Sequence, residues 1–183
     1  MAMPPSSSSA DEAFLRARCA TTKNATTCYK ALLPFASSFN GSQVRISFAA
    51  TAVAFDQLRG FLAELRQLQA AGGTGTGRPR DQALSGCVVV MVDGGDGEEE
   101  ALSCLHWLES PGSNKERASA FFWARQHLST AGSCSEGCIR NFVEAGNPTF
   151  SSNVGKKKKI VAMATTVDQY VDIALYLVVG IKL

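Results

Sequence analysis

The stretch IVAMATTVDQYVDIALYLVVGI, Ile160 to Ile181, decides the fold. Ile160, Ala164, Val167, Val171, Ala174, Val178 and Ile181 recur at alternating steps of four and three. That spacing lines one face of an α-helix, whereas a half-buried strand would alternate every second residue. An apolar stripe of this length needs other elements to cover it, so the rest of the chain is read for partners.

They are present upstream. Phe48, Ala52, Phe55, Leu58, Leu62 and Leu65 keep helical spacing, with Ser42 placed to cap the helix start. Leu84, Cys87, Met91, Gly94, Glu98, Ala101, Leu105 and Leu108 run in one register straight through Asp93-Gly94-Gly95-Asp96-Gly97. A single weakened helix is expected there, each glycine costing about 1 kcal/mol relative to alanine. Val88 to Val92 is β-branched enough to imitate a strand, but no other segment offers it a partner. Phe121, Ala124, Leu128, Ala131, Ser135, Cys138 and Phe142 form a further stripe. The breaks fall at Asn40-Gly41-Ser42, Gly72 to Pro79, Ser110 to Ser113 and Gly146-Asn147-Pro148. The expected fold is all-α: an up-down-up-down four-helix bundle with an N-terminal helical hairpin extension. Residues 1–12 are read as a disordered tail, 13–39 as the hairpin and 42–183 as the bundle.

Composition narrows the function. The chain has 183 residues, 45% hydrophobic and 19% charged, with a net charge of +2. This size sustains one core. The charge balance gives no basic footprint for nucleic acid, and the terminal apolar run from Ile173 to Ile181 is too short to cross a membrane. With two histidines, no metal centre and no cofactor are expected. Gly73-Thr74-Gly75-Thr76-Gly77 follows a helix and lacks the Gly-Lys-Ser/Thr of a phosphate loop, so it reads as a linker. Lys156 to Lys159 reads as a solvated approach to the last helix rather than a site for an acidic polysaccharide such as pectin. Cys134 and Cys138, one turn apart, lack the further ligands a metal needs. Asp93 and Asp96 could form an acid–base pair, but no nucleophile or base accompanies them, and no catalytic residue is assigned.

Six cysteines allow 15 pairings that sequence alone leaves open. Two N-glycosylation sequons, at Asn24 and Asn40, together with Cys19 and Cys28 around the first, point to an oxidising, secretory setting. Met1 to Asp11 contains no apolar core of a signal peptide.

The ordered set of features resembles the plant invertase/pectin methylesterase inhibitor domain, secreted all-α proteins that block cell-wall enzymes. Cys19 and Cys28 match a cysteine pair in an N-terminal hairpin. Cys87, Asp93 and Asp96 match a cysteine followed by two helical aspartates. Trp123, Leu128, Ser129, Ser133 and Cys134 match a Trp-led helix ending in Thr-Cys, with serine for threonine twice. Ala174-Leu175-Tyr176-Leu177 matches an Ala-Leu-rich final helix. The resemblance spans about residues 13–183. It departs at Gly94-Gly95, where the family carries small apolar residues, at Arg125-Gln126-His127, where it prefers small ones, at Lys23-Asn24-Ala25-Thr26 in place of its Tyr-Pro, and at Asp172-Ile173 in place of its Ser-Asn.

The resemblance implies bridges Cys19–Cys28 and Cys87–Cys134. With the second in place, Cys104 lies ~25 Å beyond Cys87 along a continuous helix, and Cys104 and Cys138 are expected as free thiols. It further implies a non-enzymatic inhibitor, secreted to the apoplast and cell wall. Its partner would be pectin methylesterase or, second, acid invertase, met through exposed positions such as Asp93, Asp96, Arg125 and Ser129. Arg78-Pro79-Arg80 and the Trp123 helix favour pectin methylesterase. A divergent bundle without inhibitory activity is the reading from another class.

Overall fold

A computed structural model describes residues 9–71, 79–144 and 154–183, without the side chains of 79–81, 144 and 154–157. The described residues form seven α-helices and one 3-10 helix, with no strand among them. They are α1 (Ser9–Cys19), α2 (Ala25–Leu32), the 3-10 helix Leu33–Ser38, α3 (Gln43–Ala71), α4 (Pro79–Gly95), α5 (Glu98–Trp107), α6 (Asn114–Glu144) and α7 (Val154–Val179). Helix α3 packs on α7, α7 on α6, and α6 on α4 and α5, which close the ring against α3. This is the expected four-helix bundle, with α4 and α5 sharing one side. The α1–α2 hairpin and the 3-10 helix pack against each other and onto α3.

All seven stripe positions of α7 are buried, Ile160 through Ile181. The segment Lys158–Val179 has the length and mean hydropathy, 1.2, of a membrane-crossing helix. Its apolar character serves the bundle, because the stripe is covered by α3 and α6. The Gly73–Gly77 linker, the Gly146-Asn147-Pro148 break and the side chains of Lys156 and Lys157 lie outside the described residues. Lys159 pairs with Glu64 across α7 and α3.

Four expectations are corrected. Ser9 to Glu12, read as part of a tail, are helical, and Asp11 and Glu12 in that first turn complement the helix dipole, while residues 1–8 lie outside the described residues. The stripe Leu84 to Leu108 is buried as expected except for half-buried Glu98, but it belongs to two helices. The chain turns at Asp96-Gly97: the Asp96 N–H still donates to the Val92 carbonyl at 3.1 Å, and the Gly97 carbonyl accepts from Ala101 N–H at 3.0 Å. Three successive glutamates, Glu98 to Glu100, then occupy the first turn of α5, where a helix N-terminus favours negative charge. On α3, Phe48 is 37% exposed, and Ile46, Ala50, Ala54 and Phe61 fill the core instead. This helix faces α7 on one flank and α4–α5 on the other, so its buried face is wider than one stripe.

The fourth correction concerns cysteines. Cys19 and Cys28 are bridged across the hairpin, their Cα atoms 5.5 Å apart. Cys87, however, is bridged to Cys138, with Cα atoms 4.6 Å apart, and the free cysteines are Cys104 and Cys134. The antiparallel register of α4 and α6 decides this. A Cβ on Gly86 would meet Asn141, and one on Gly94 would meet Cys134 and Ala131. Between them Cys87 falls opposite Cys138, while Cys134 faces the chain two turns further along α4.

The start of α6 is fixed by a capping box. Ser113 Oγ accepts from Glu116 N–H at 3.3 Å, and the Glu116 carboxylate accepts from Ser113 N–H at 3.0 Å and from its hydroxyl at 2.6 Å. These bonds hold the Glu116 carboxyl below its ordinary range. As expected, Ser42 caps α3, accepting from Arg45 N–H at 3.3 Å.

Candidate functional site

Helix α6 carries the residues on which recognition would turn, and its buried stripe divides them into two flanks. Ala124, Leu128 and Ala131 are fully buried. One residue past each of the first two stand Arg125 and Ser129, which face α7 and the hairpin. One residue before Leu128 and before Ser135 stand His127 and Cys134, which face α4 and α5.

On the first flank, Arg125 and Ser129 join Lys23, Asn24, Asp172 and Tyr176 around a groove of about 340 Å³. Lys23, in the hairpin loop, lies 4.0 Å from the Asp172 carboxylate. Asp168, one turn earlier on α7, has its carboxyl pushed up by partial burial and by Asp172 and Glu136, with Lys23 opposing. The groove is thus acidic on its α7 wall and basic at Arg125 and Lys23. Asn24 is half-buried, and its carbonyl accepts from Cys28 N–H at 2.9 Å as α2 begins.

On the second flank, Asp93 and Asp96 are both exposed near the end of α4. Asp93 is close enough to Cys134 to help burial raise its thiol pKa, burial being the larger cause. Gly97 is what lets His127 settle against the α4–α5 turn: a Cβ there would lie 2.5 Å from the imidazole Nδ1. His127 in turn packs beside Trp123, ring centroids 6.1 Å apart, and Trp123 meets Phe122 edge-on at 5.3 Å. Phe122 and Trp123 remain 47% and 49% exposed.

The structure therefore brings Asp93 and Asp96 together on one flank, Arg125 and Ser129 on the other, and does not gather the four into one patch. What the reading of the residues missed is the aromatic ridge Phe122–Trp123–His127. The signal was available, since Phe122 and Trp123 fall off the stripe that runs through Phe121 and Ala124.

Comparison with known proteins places the chain in a family. The sequence profile described as plant invertase/pectin methylesterase inhibitor matches residues 13–177. The chain belongs to this family. A crystal structure of a mutant form of a pectin methylesterase inhibitor from Arabidopsis superposes with a TM-score of 0.65, covering 90% of this chain and 94% of that one. At 16% identity that likeness speaks for the fold. An uncharacterized protein of Oryza sativa subsp. japonica is 34% identical over 120 residues, 61% of this chain. The match spans about half, 51%, of that relative's length. Members of the plant invertase/pectin methylesterase inhibitor family are inhibitors of enzymes.

Proposed function

We propose that this protein is a secreted inhibitor of pectin methylesterase that acts in the apoplast by covering the enzyme's active-site cleft, stoichiometrically and without a covalent bond. The observation that carries the reading is the half-exposed Trp123, held between Phe122 and His127 on the flank that also carries the exposed Asp93 and Asp96. Exposed aromatics that cannot move far are the usual anchors of protein interfaces, because they bury much area at little entropic cost. The Cys87–Cys138 bridge ties α4 to α6 some three turns along from this ridge, and His127 packed on Gly97 holds the same two sides of the bundle together at the ridge itself, which favours a preorganised surface. An interface of ordinary size, ~800 Å² on this partner, would extend from the ridge across α6 to Arg125 and Ser129.

Acid invertase is the alternative target, and the solved neighbour's description as a pectin methylesterase inhibitor supports the first choice. The turn at Asp96-Gly97 and the His127 ring packed into it reshape the recognition face, which favours, as a second reading, a bundle that no longer inhibits either enzyme. Titration of the purified protein against one pectin methylesterase and one acid invertase separates all three. Inhibition of the first with an equivalence point at one molar equivalent is expected. Inhibition of the invertase alone would transfer the assignment, and no effect on either by a protein with a sharp thermal transition would establish the second reading.

A further inference from the structure

Away from α6, an apolar depression lies where the 3-10 helix, α3 and α5 meet. It holds about 370 Å³ between Phe35, Phe48, Ala52 and Leu105, and leaves Phe35 and Phe48 44% and 37% exposed. A second, polar depression of about 420 Å³ adjoins it, lined by Asn40, Ser42 and Leu108. The two share Val44, Arg45 and Glu109. Arg45 Nε donates to Glu109 at 2.7 Å and its Nη1 to the Ser38 carbonyl at 3.3 Å, so an ion pair forms the sill between the two hollows.

The polar hollow begins at a sequon, Asn40-Gly41-Ser42. Buried Phe39 anchors the turn, whose Ser42 N–H donates to the Phe39 carbonyl at 2.8 Å. Asn40 (φ 48°) and Gly41 (φ 70°) are left-handed, a conformation asparagine tolerates better than other side chains. Asn40 is thereby held out from the fold, exposed, at the mouth of the hollow.

We infer that Asn40 carries an N-linked glycan whose first sugar rings lie along these joined depressions and cover Phe35 and Phe48. Sugar hydroxyls find donors and acceptors at Arg45 and Glu109, and the apolar faces of the rings rest on the two phenyl groups. The bond is the ordinary one, from the Asn40 amide nitrogen to the anomeric carbon of N-acetylglucosamine, with a lipid-linked oligosaccharide as donor and its pyrophosphate as leaving group. Attachment explains why the bundle tolerates two exposed phenylalanines together, an arrangement that otherwise marks a contact surface.

This inference rests on the secreted reading above, and its test is separable from it. The full chain is secreted from yeast behind an added leader, and occupancy at Asn40 is read by peptide mass spectrometry. Fluorescence of an apolar-surface dye and Tm are then compared before and after peptide-N-glycosidase, which leaves an aspartate at position 40. Removal of the glycan should raise dye binding several-fold and lower Tm, and in a Phe48→Ser variant both changes should shrink by more than half. Asn40→Asp made without sugar should match the enzyme-treated protein, and Ser42→Thr, which keeps both sequon and cap, should match wild type. An unoccupied Asn40, or dye binding and Tm indifferent to glycan removal, overturns the inference. Inhibition assays on sugar-free protein from bacteria test the proposed function independently of these results.

Discussion

Gly60 and Gly94 are both helical glycines, yet their surroundings make opposite demands. A Cβ on Gly60, exposed on α3, would meet nothing within 4 Å, whereas one on Gly94 would stand 2.9 Å from the Cys134 Cβ and 3.5 Å from the Ala131 Cα. Gly60→Ala should therefore stabilise the protein by about 1 kcal/mol through helix propensity alone, a rise of roughly 2–4 °C in Tm. Gly94→Ala gains the same propensity but forces α4 from α6, and should destabilise by a net ~1–2 kcal/mol. Calorimetry of the two variants checks both signs; stabilisation by Gly94→Ala would contradict the close α4–α6 approach.

Asp168 offers a second test at this scale. Partial burial, Asp172 and Glu136 raise its carboxyl pKa, and Lys23 lowers it. In the window between the unfolded value and this raised one, the folded chain holds more protons than the unfolded chain. Stability from this group therefore increases as pH falls through the raised value and is lost as pH rises. Asp168→Asn should raise Tm near pH 7, with the gain fading toward about pH 4. A gain independent of pH would assign the effect to packing rather than charge. Glu116 works in the opposite direction: its lowered pKa supplies stability above the ordinary carboxylate range that disappears as acid protonates the cap.

At the scale of elements, periodicity was the readable signal, and its limits are physical. The α7 and α6 stripes are buried as spaced, apart from half-buried Phe121, and the α6 stripe already placed Cys138 inward and Cys134 one residue off it. Resemblance to a family pattern favoured Cys134 as the partner of Cys87; the register between α4 and α6 favours Cys138. Periodicity tells which face is buried, but not how far one helix slides along its neighbour. For the same reason Asp93, Asp96 and Arg125 were readable as exposed, whereas Ser129, read the same way, is half-buried, and the separation of the four onto two flanks of α6 was not legible. The Asp96-Gly97 turn escaped because the buried register continues through it.

The pairing has its own experiment. Alkylation of the denatured, unreduced protein should label Cys104 and Cys134 only, and digestion should yield Cys19–Cys28 and Cys87–Cys138 linked peptides. A Cys87–Cys134 peptide would refute the register drawn from Gly86 and Gly94. In the folded protein Cys134 should label slowly, since burial and then Asp93 raise its thiol pKa. Cys138→Ser opens a loop with a sequence separation of 51 residues, for a loss of about 4 kcal/mol by chain entropy, while Cys134→Ser should cost under about 1 kcal/mol.

For the whole molecule, the arrangement of bridges says where rigidity is concentrated. The hairpin is closed on itself by Cys19–Cys28 and touches the bundle through α3, whereas Cys87–Cys138 joins two bundle helices about three turns along α6 from His127. A binding surface gains most from rigidity where its anchors stand; on the proposed function, the packing of Trp123 against Phe122 and His127, with His127 seated on Gly97, would put the energetic centre on the α4–α5 flank of α6. Arg125 and Ser129 then belong to the rim, where charged contacts steer the encounter and contribute little to its lifetime. Trp123→Ala should weaken inhibition of pectin methylesterase by at least ~30-fold, the effect of losing an anchor of about 2 kcal/mol. Asp93→Asn with Asp96→Asn, and separately Arg125→Ala with Ser129→Ala, should each cost less, the second pair chiefly as a slower association that salt suppresses. The distinction is read from association and dissociation rates of variants whose Tm matches wild type. Faster dissociation on truncating Arg125, with Trp123→Ala indifferent, would move the centre of recognition across α6 to the groove shared with α7 and the hairpin.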